Sequence, residues 1–336
     1  MKTVMTSHVT RKLGLAKKLT AQIIAEDAAE GAVISGLGMF EQGFYNQLGF
    51  GTGSYLHWVA FDPAELVIKN KARIPKRLSK DDWEILHASR LARMHRHGAC
   101  SLTPSHITKA EMEEDDKTFG FGYYDGLNGE LSHHIWMHAE SYEQGPYNVW
   151  WMSYQTYDQF LELLAFLKGL GDQVHLIRIA EPSGIQFQDF MRKPFKRYNI
   201  SNKSKYESHI KAFAWWQMRI CDLHACLAQT HLPNGTVRFN LKLNDPIEHL
   251  LESDSKWKGI GGDYIVTLGA ESQSICGTDA TLPTLTASVG AFTRLWLGVC
   301  SASGLSVSDE LMGSSDLLKK LDDVLVLPKP NPDWPF

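Results

Sequence analysis

The chain opens on a succession that leaves few ways to fold. A short β-branched run over 3–9 is followed by a basic turn with one glycine, a one-faced helical pattern and a second apolar run. The turn is Arg11-Lys12-Leu13-Gly14-Leu15-Ala16, and from it Leu15, Leu19 and Ile23 recur at i, i+4 and i+8. Ile24 and Ala28 lie beside them, which predicts a helix with one apolar face. Gly31 ends it. Residues 32–36 read as a buried strand, 41–48 as a short helix stopping at Gly49, and 55–61 as an alternating strand closed by Asp62-Pro63. The order strand, turn, helix, strand demands a mixed α and β fold. A helix N-terminus carries unpaired N–H groups and the positive end of the helix dipole, a combination that binds phosphate. Gly14 lets the backbone come close to a bulky anion, and Arg11, Lys12 and Lys17 add positive charge. Taken alone, an ordinary helix start with basic surface residues is the stronger reading of this turn.

Composition narrows the partners. A chain of 336 residues exceeds what one core serves and predicts two or three domains. A hydrophobic content of 43% with 21% charged residues fits a soluble globular protein. The net charge of −4 argues against nucleic acid as a partner. Cys100, Cys221, Cys226, Cys276 and Cys300 form no CxxC pair. They predict neither disulfides nor a zinc site, and point to a reducing compartment. No apolar run suits a signal peptide or a membrane span, so the expectation is a cytoplasmic protein with no membrane contact. The sequons at Asn199, Asn202 and Asn234 are then chance matches.

Further along, Ser79 to Asp82 cap a helix predicted over 83–95. Residues 118–158 are aromatic and β-rich, with turns at Asp125-Gly126, Asn128-Gly129 and Gly145-Pro146. Next come a helix over 157–170 ending at Gly171 and a strand over 174–179. The polar stretch 195–206 reads as a linker. Beyond it, Ile220, Leu223 and Leu227 mark a helix, Val237 to Leu243 and 264–268 strands, Leu285, Val289, Phe292 and Trp296 a helical face, and 317–326 an amphipathic stretch. Four prolines in 328–336 predict an extended arm.

The R-x-x-G-x-A turn between strand and helix, with Gly43-Phe44-Tyr45-Asn46-Gln47-Leu48-Gly49-Phe50 after it, resembles the GCN5-related N-acetyltransferase (GNAT) superfamily. With Trp216-Gln217-Met218-Arg219-Ile220-Cys221-Asp222-Leu223 and a terminal Phe336 behind a proline-rich arm, the chain resembles the enhanced intracellular survival (Eis) type of that superfamily over nearly its whole length. The resemblance implies an α+β fold with tandem GNAT-like domains, the first incomplete, over 1–64 and 65–200. A sterol-carrier-protein-2-like α/β domain with a C-terminal arm would occupy 201–336. Three strands and two helices normally precede the phosphate loop, so the first domain reads as N-terminally truncated.

The resemblance also implies roles. Val4, Met5 and Thr6 would pair with the pantetheine arm of acetyl-CoA, one backbone N–H there facing the developing oxyanion. Lys12, Leu13, Gly14, Leu15, Ala16 and Lys17 would hold the pyrophosphate. Phe40 and Glu41 would touch the co-substrate. Tyr45 would be the general acid and the Phe336 carboxylate the general base. A thiol near pKa 8.5 and a tyrosine near 10 make proton transfer between relaxed groups uphill by about 2 kcal/mol, so Tyr45 must act while the C–S bond breaks. Implied partners are a primary amine, on an aminoglycoside-like small molecule or a lysine side chain, and further copies of the chain as a homo-oligomer, a hexamer or trimer.

Without the resemblance, Tyr45 is equally a core tyrosine, and Phe336 an ordinary frayed terminus. His133, His134 and His138 read as structural rather than as a metal site. His95, His97, Arg90, Arg93 and Arg96 read as a solvated helix end. The Gly49-x-Gly51-x-Gly53 run reads as a bulge or turn, and the Trp pairs 150–151 and 215–216 as core or interface. A second function from another class is an apolar-ligand carrier, acting through the sterol-carrier-like domain.

Overall fold

A computed structural model describes residues 6–194 and 202–336. The first strands are β1 Ile34–Gly38, β2 Gly51–Thr52, β3 Leu56–Phe61, β4 Lys76–Leu78 and β5 Thr118–Tyr123. Then come β6 His133–Ala139, β7 Tyr147–Ser153, β8 Ile177–Ala180, β9 His209–Phe213 and β10 Trp216–Ile220. The last are β11 Val237–Asn244, β12 Gly262–Leu268, β13 Gln273–Cys276, β14 Thr284–Ser288 and β15 Leu311–Met312. The α-helices are α1 Leu15–Ala29, α2 Gln42–Asn46, α3 Trp83–Leu91, α4 His106–Glu113 and α5 Tyr157–Gly169, then α6 Leu223–Ala228, α7 Val289–Trp296, α8 Ala302–Ser308 and α9 Ser315–Val324. No described helix is long and apolar enough to cross a membrane.

The chain divides into two compact units, both discontinuous. One joins the chain up to Ser54 to Ala214–Pro330 and Phe336. The other comprises Tyr55–Phe213 and Asn331–Pro335.

In the first unit, β10 lies between β1 and β2 and pairs antiparallel with both, Gly36 opposite Met218 and Thr52 opposite Gln217. A second sheet runs β13-β12-β11-β14-β15. Its main core gathers Phe239, Leu241, Val266, Leu285, Phe292 and Leu321. A smaller core joins Ala21 and Ile24 of α1 to Leu48, Phe50, Cys221 and Ile247. Helix α1 therefore buries Thr20, Ala21, Ile24 and Ala25, whereas Leu15 and Leu19 of the predicted apolar face are exposed. The residues between 216 and 220 form a strand, not the start of the helix predicted from Ile220. Leu285 likewise lies on β14, ahead of α7.

In the second unit the sheet runs β4-β5-β6-β7-β8-β3-β9. Its pairs are antiparallel except β7 with β8, which run parallel and pair only at Tyr147–Ile177 and Asn148–Arg178. Helix α5 is started by a capping box between Thr156 and Gln159. It packs Phe160, Leu163, Leu164 and Leu167 with Val59, Ile135, Val149 and Ile177. A separate cluster holds Leu78, Leu86, Met112, Trp136 and Trp151.

Residues Asn331–Pro335 of the proline-rich tail are built into this second unit. The Asn331 N–H donates to His97 O at 3.0 Å. Arg93 donates to both Asp333 oxygens, at 2.8 and 2.5 Å. Trp334 is buried, its indole N–H donating to Glu111 at 3.2 Å. The Arg90 guanidinium stacks between Trp334 at 3.8 Å and Trp151 at 4.0 Å. Arg90 and Arg93 are therefore core residues, against the solvated helix end expected of them. Arg93 finds its carboxylate at Asp333, 240 residues away, while Arg90 pairs with Glu111 and stacks on Trp334. His95 and Arg96 are exposed as expected.

The three histidines of the 133–138 run face three different settings. His134 is buried and bonds Ser89 and the Trp151 indole N–H. His138 stacks on Trp150 and faces Asp115. His133 meets Glu162 at 3.1 Å. With Asp125 these last two make a cluster whose acidic charge Arg73 spans, bonding Asp125 and Glu162 at 2.6 and 2.7 Å. Those bonds hold the Glu162 carboxyl down at about 2.

Candidate active site

The site residues predicted from sequence fall on two helix starts and one strand of the first unit. At the first helix start, Gly14 is the N-cap of α1 in the left-handed conformation, φ +75° and ψ 4°. Lys12 before it also has a positive φ, +66°. No atom lies within 4 Å of where a Gly14 Cβ would stand, and Gly14 brings no capping side chain. Lys12, Leu13 and Leu15 are exposed, and Ala16 and Lys17 are half-buried. The first turn of α1 thus presents backbone N–H groups at an open, basic, exposed helix end. Lys17 bonds Gln47, just beyond α2, and so ties the first turn of α1 to the C-terminal end of α2.

The expected first strand differs. His8–Thr10 forms a 3-10 turn and Thr6 is exposed coil; Val4 and Met5 lie outside the described residues. A run this short becomes a strand only against a neighbour, and the described part of it has none.

The second helix start is α2. Glu41 caps it, accepting from the N–H groups of Gly43 at 3.0 Å and Phe44 at 2.5 Å. The Glu41 carboxylate is thus engaged by backbone. Phe40 is exposed, and its ring lies 5.9 Å from Phe44 and 5.5 Å from Tyr45. Tyr45 packs edge-on against Phe44 at 5.0 Å and Phe50 at 6.0 Å. Half-buried in this aromatic group, its phenol is pushed above the ordinary tyrosine value.

The strand that leads into α2 carries the third part. β1 ends in Gly36-Leu37-Gly38, and Phe336 lies over its two glycines. A Cβ on Gly36 would stand 3.4 Å from the Phe336 ring, and one on Gly38 3.0 Å from its carboxyl-terminal oxygen. The ring also packs on Trp215 at 5.3 Å. A Cβ on Gly36 would make ordinary contact with the ring, whereas one on Gly38 would crowd the terminal oxygen. β1 is therefore Ile34–Gly38, two residues later than predicted, and its residues are exposed or half-buried rather than buried. It is an edge strand in the described sheet.

Sequence reasoning missed the residues beneath α2. Gln217 and Arg219 of β10 are both fully buried. The Gln217 amide donates to Asn46 Oδ1 at 2.6 Å and lies 3.2 Å from Thr52 Oγ1. Arg219 donates to Leu48 O and pairs with Asp245 at 2.7 Å. Polar residues alternating with Trp216, Met218 and Ile220 signal a strand, and that alternation was available. Nothing in it says that the polar side faces inward. Beside α2, Gln42, Asn46, Thr52, Arg294 and Asp309 line a cleft of about 380 Å³. The glycine run is spent on close approach: Gly49 turns with φ +79°, and a Cβ on Gly53 would stand 2.1 Å from the Trp216 indole.

No protein-family model and no curated protein matches this sequence. Solved structures do. A probable N-acyltransferase from Enterococcus faecalis V583 matches with a TM-score of 0.76 at 18% identity, over 99% of this chain and 80% of that one. A GCN5-related N-acetyltransferase from Anabaena variabilis matches at 0.76 and 14%, over 99% and 80%. Eis1 from Mycobacterium abscessus matches at 0.72 and 13%, over 99% and 81%. Over practically its whole length, this chain has the mixed α and β fold of proteins described as GCN5-related N-acetyltransferases.

Proposed function

We propose that the chain is an acetyl-CoA-dependent N-acetyltransferase of Eis type, and that α1, α2 and the chain terminus form its site. The observation that carries this reading is convergence. The basic helix start, the tyrosine helix and the terminal carboxylate belong to one unit, and Lys17–Gln47 and the Phe336–Gly38 contact link them. The open first turn of α1 suits a pyrophosphate: N–H donors are exposed, Gly14 leaves room, and Lys12 and Lys17 supply charge. Acetyl-CoA brings the thioester; the residues of the chain bind, orient and move protons. The Phe336 carboxylate, ionised at neutral pH, holds the ammonium group, which gives one proton to solvent before its nitrogen lone pair attacks the thioester carbonyl. The C–N bond forms, the nitrogen gives its second proton to the carboxylate, the C–S bond breaks as Tyr45 gives its proton to the departing sulfur, and the proton held by the carboxylate returns to the phenolate through water. A tyrosine is protonated across neutral pH and burial raises this one further, so Tyr45 is a donor throughout the working range and the sulfur must be strongly basic when it takes the proton. The acceptor is a primary amine of a cationic small molecule or a lysine. A sterol-carrier-like origin for 201–336, a homo-oligomer and a cytoplasmic setting belong to the same proposal.

Tyr45→Phe and deletion of Phe336 test it. Each lowers kcat by about a hundredfold, within the usual contribution of a positioned acid or base, with little change in KM for acetyl-CoA. Undiminished turnover in either variant removes that residue from the mechanism. Stabilisation of the chain by fatty acyl ligands but not by acetyl-CoA, read by thermal shift, favours the carrier function instead.

A further inference from the structure

Helix α2 has five residues, Gln42–Asn46, far too few to hold a helix in water without support. The Glu41 cap fixes its first turn. Phe44 and Tyr45 pack on the small core of Ala21, Ile24, Leu48 and Phe50, and buried hydrogen bonds come from β10, which enters between β1 and β2 from far along the chain. Gln217 and Arg219 are two apart on that strand, so their side chains leave the same face. Both are fully buried. The Gln217 amide donates to Asn46 Oδ1 at 2.6 Å and reaches Gln42 O at 3.4 Å and Thr52 Oγ1 at 3.2 Å. It thus touches both ends of α2 and the next strand, β2. Arg219 takes the next carbonyl, Leu48 O, with its charge met by Asp245 at 2.7 Å. Tyr45 lies between these anchor points. Burying an amide and a guanidinium is costly where apolar side chains of similar volume would pack more cheaply. What the polar pair adds is directionality: hydrogen bonds fix where the helix sits along β10, and apolar packing does not.

We infer that Gln217 is a positioning residue for Tyr45, acting through the Asn46 end of α2, with Arg219 fixing the turn behind it. The inference rests on the proposed role of Tyr45 in acetyl transfer. In the full chain, Gln217→Leu keeps the volume and removes the donor. It lowers kcat by about ten- to a hundredfold, the scale of a small misplacement of a reacting group, and leaves KM for acetyl-CoA within about twofold, because the α1 helix start is untouched. Asn46 is exposed, so Asn46→Ala removes the same bond without opening the core and lowers kcat in the same direction. Asn46→Asp keeps the acceptor and restores it. A substrate-free readout separates this claim from the function it rests on. With 13C-labelled tyrosine, the Tyr45 ring resonance is identified by its loss in Tyr45→Phe. In Gln217→Leu and Asn46→Ala it shifts, and its titration midpoint falls toward that of free tyrosine. An unmoved Tyr45 resonance in both variants overturns the positioning role. So does a loss of kcat in Gln217→Leu that only matches its loss of folded protein and is absent from Asn46→Ala. Absence of turnover in the unmodified chain, with the resonance moving as stated, counts against the acetyl-transfer reading alone.

Discussion

Asp245 carries more of the site than its place in the sequence suggests. It pairs with the fully buried Arg219, accepts the Ile260 N–H at 3.0 Å and caps the turn at Ile247. Asp245→Ala leaves a guanidinium buried without its counter-charge. The expected loss is about 3–5 kcal/mol in urea denaturation, with the Tyr45 turn loosened as well. Gly49 shows how tight that turn is, since a Cβ there would stand 2.9 Å from Arg219 Nη1. In the second unit, His134 makes a prediction in pH. Burial, and secondarily the Arg90 charge, lower it to about 3, against about 6.5 in the unfolded chain. The unfolded chain therefore binds the proton first, and stability falls as pH drops below about 6.5. Urea midpoints at pH 7 and pH 5 should differ, and His134→Gln should flatten the difference. Glu162 contributes in the same direction only below the ordinary carboxylate range, because Arg73 lowers its pKa. Legibility at this scale tracks locality. The α1 start at Gly14 and the short helix from 41 could be read because their signals lie within a few residues, whereas Glu41 was read as a co-substrate contact rather than the cap it is, and Tyr45 was singled out only through the family resemblance. Gln217, Arg219 and the buried Arg90 could not be read, because polar residues read as solvent-facing until distant partners are known.

Among the elements, the tail has no helix or strand, in keeping with the arm expected of it, but it is held more firmly than an arm need be. Chain ends fray unless something ties them down, yet here Asn331, Asp333 and Trp334 are each bonded within the second unit. Trp334→Ala should destabilise that unit by about 3–5 kcal/mol, seen as loss of its part of the thermal transition. A surface anchor would cost almost nothing. Helices with local signals were legible: α5 with its capping box, and α1 with Gly31 behind it. β10 was hidden because Ile220, Leu223 and Leu227 mimic a helical spacing across a strand end. The exposed side of α1 was hidden because both of its sides carry apolar residues, and sequence alone cannot say which side packs.

At the scale of the whole molecule, the chain builds discontinuous units. β1 and β2 precede Tyr55–Phe213, and the strand between them, β10, comes after it. Reading forward by residue number therefore gives the order of elements but not which of them share a sheet. The three segments that carry the proposed chemistry come from residues 11–17, 40–50 and 336, and all fall in the first unit. The measurement that tests the central claim most directly is amine-dependent release of free thiol from acetyl-CoA by the full chain, monitored with a thiol reagent across a panel of polyamines, aminoglycosides and lysine peptides. The account predicts saturable release with at least one primary amine, lost in Tyr45→Phe. Release that is the same with and without every amine, or unaffected by Tyr45→Phe, would contradict it.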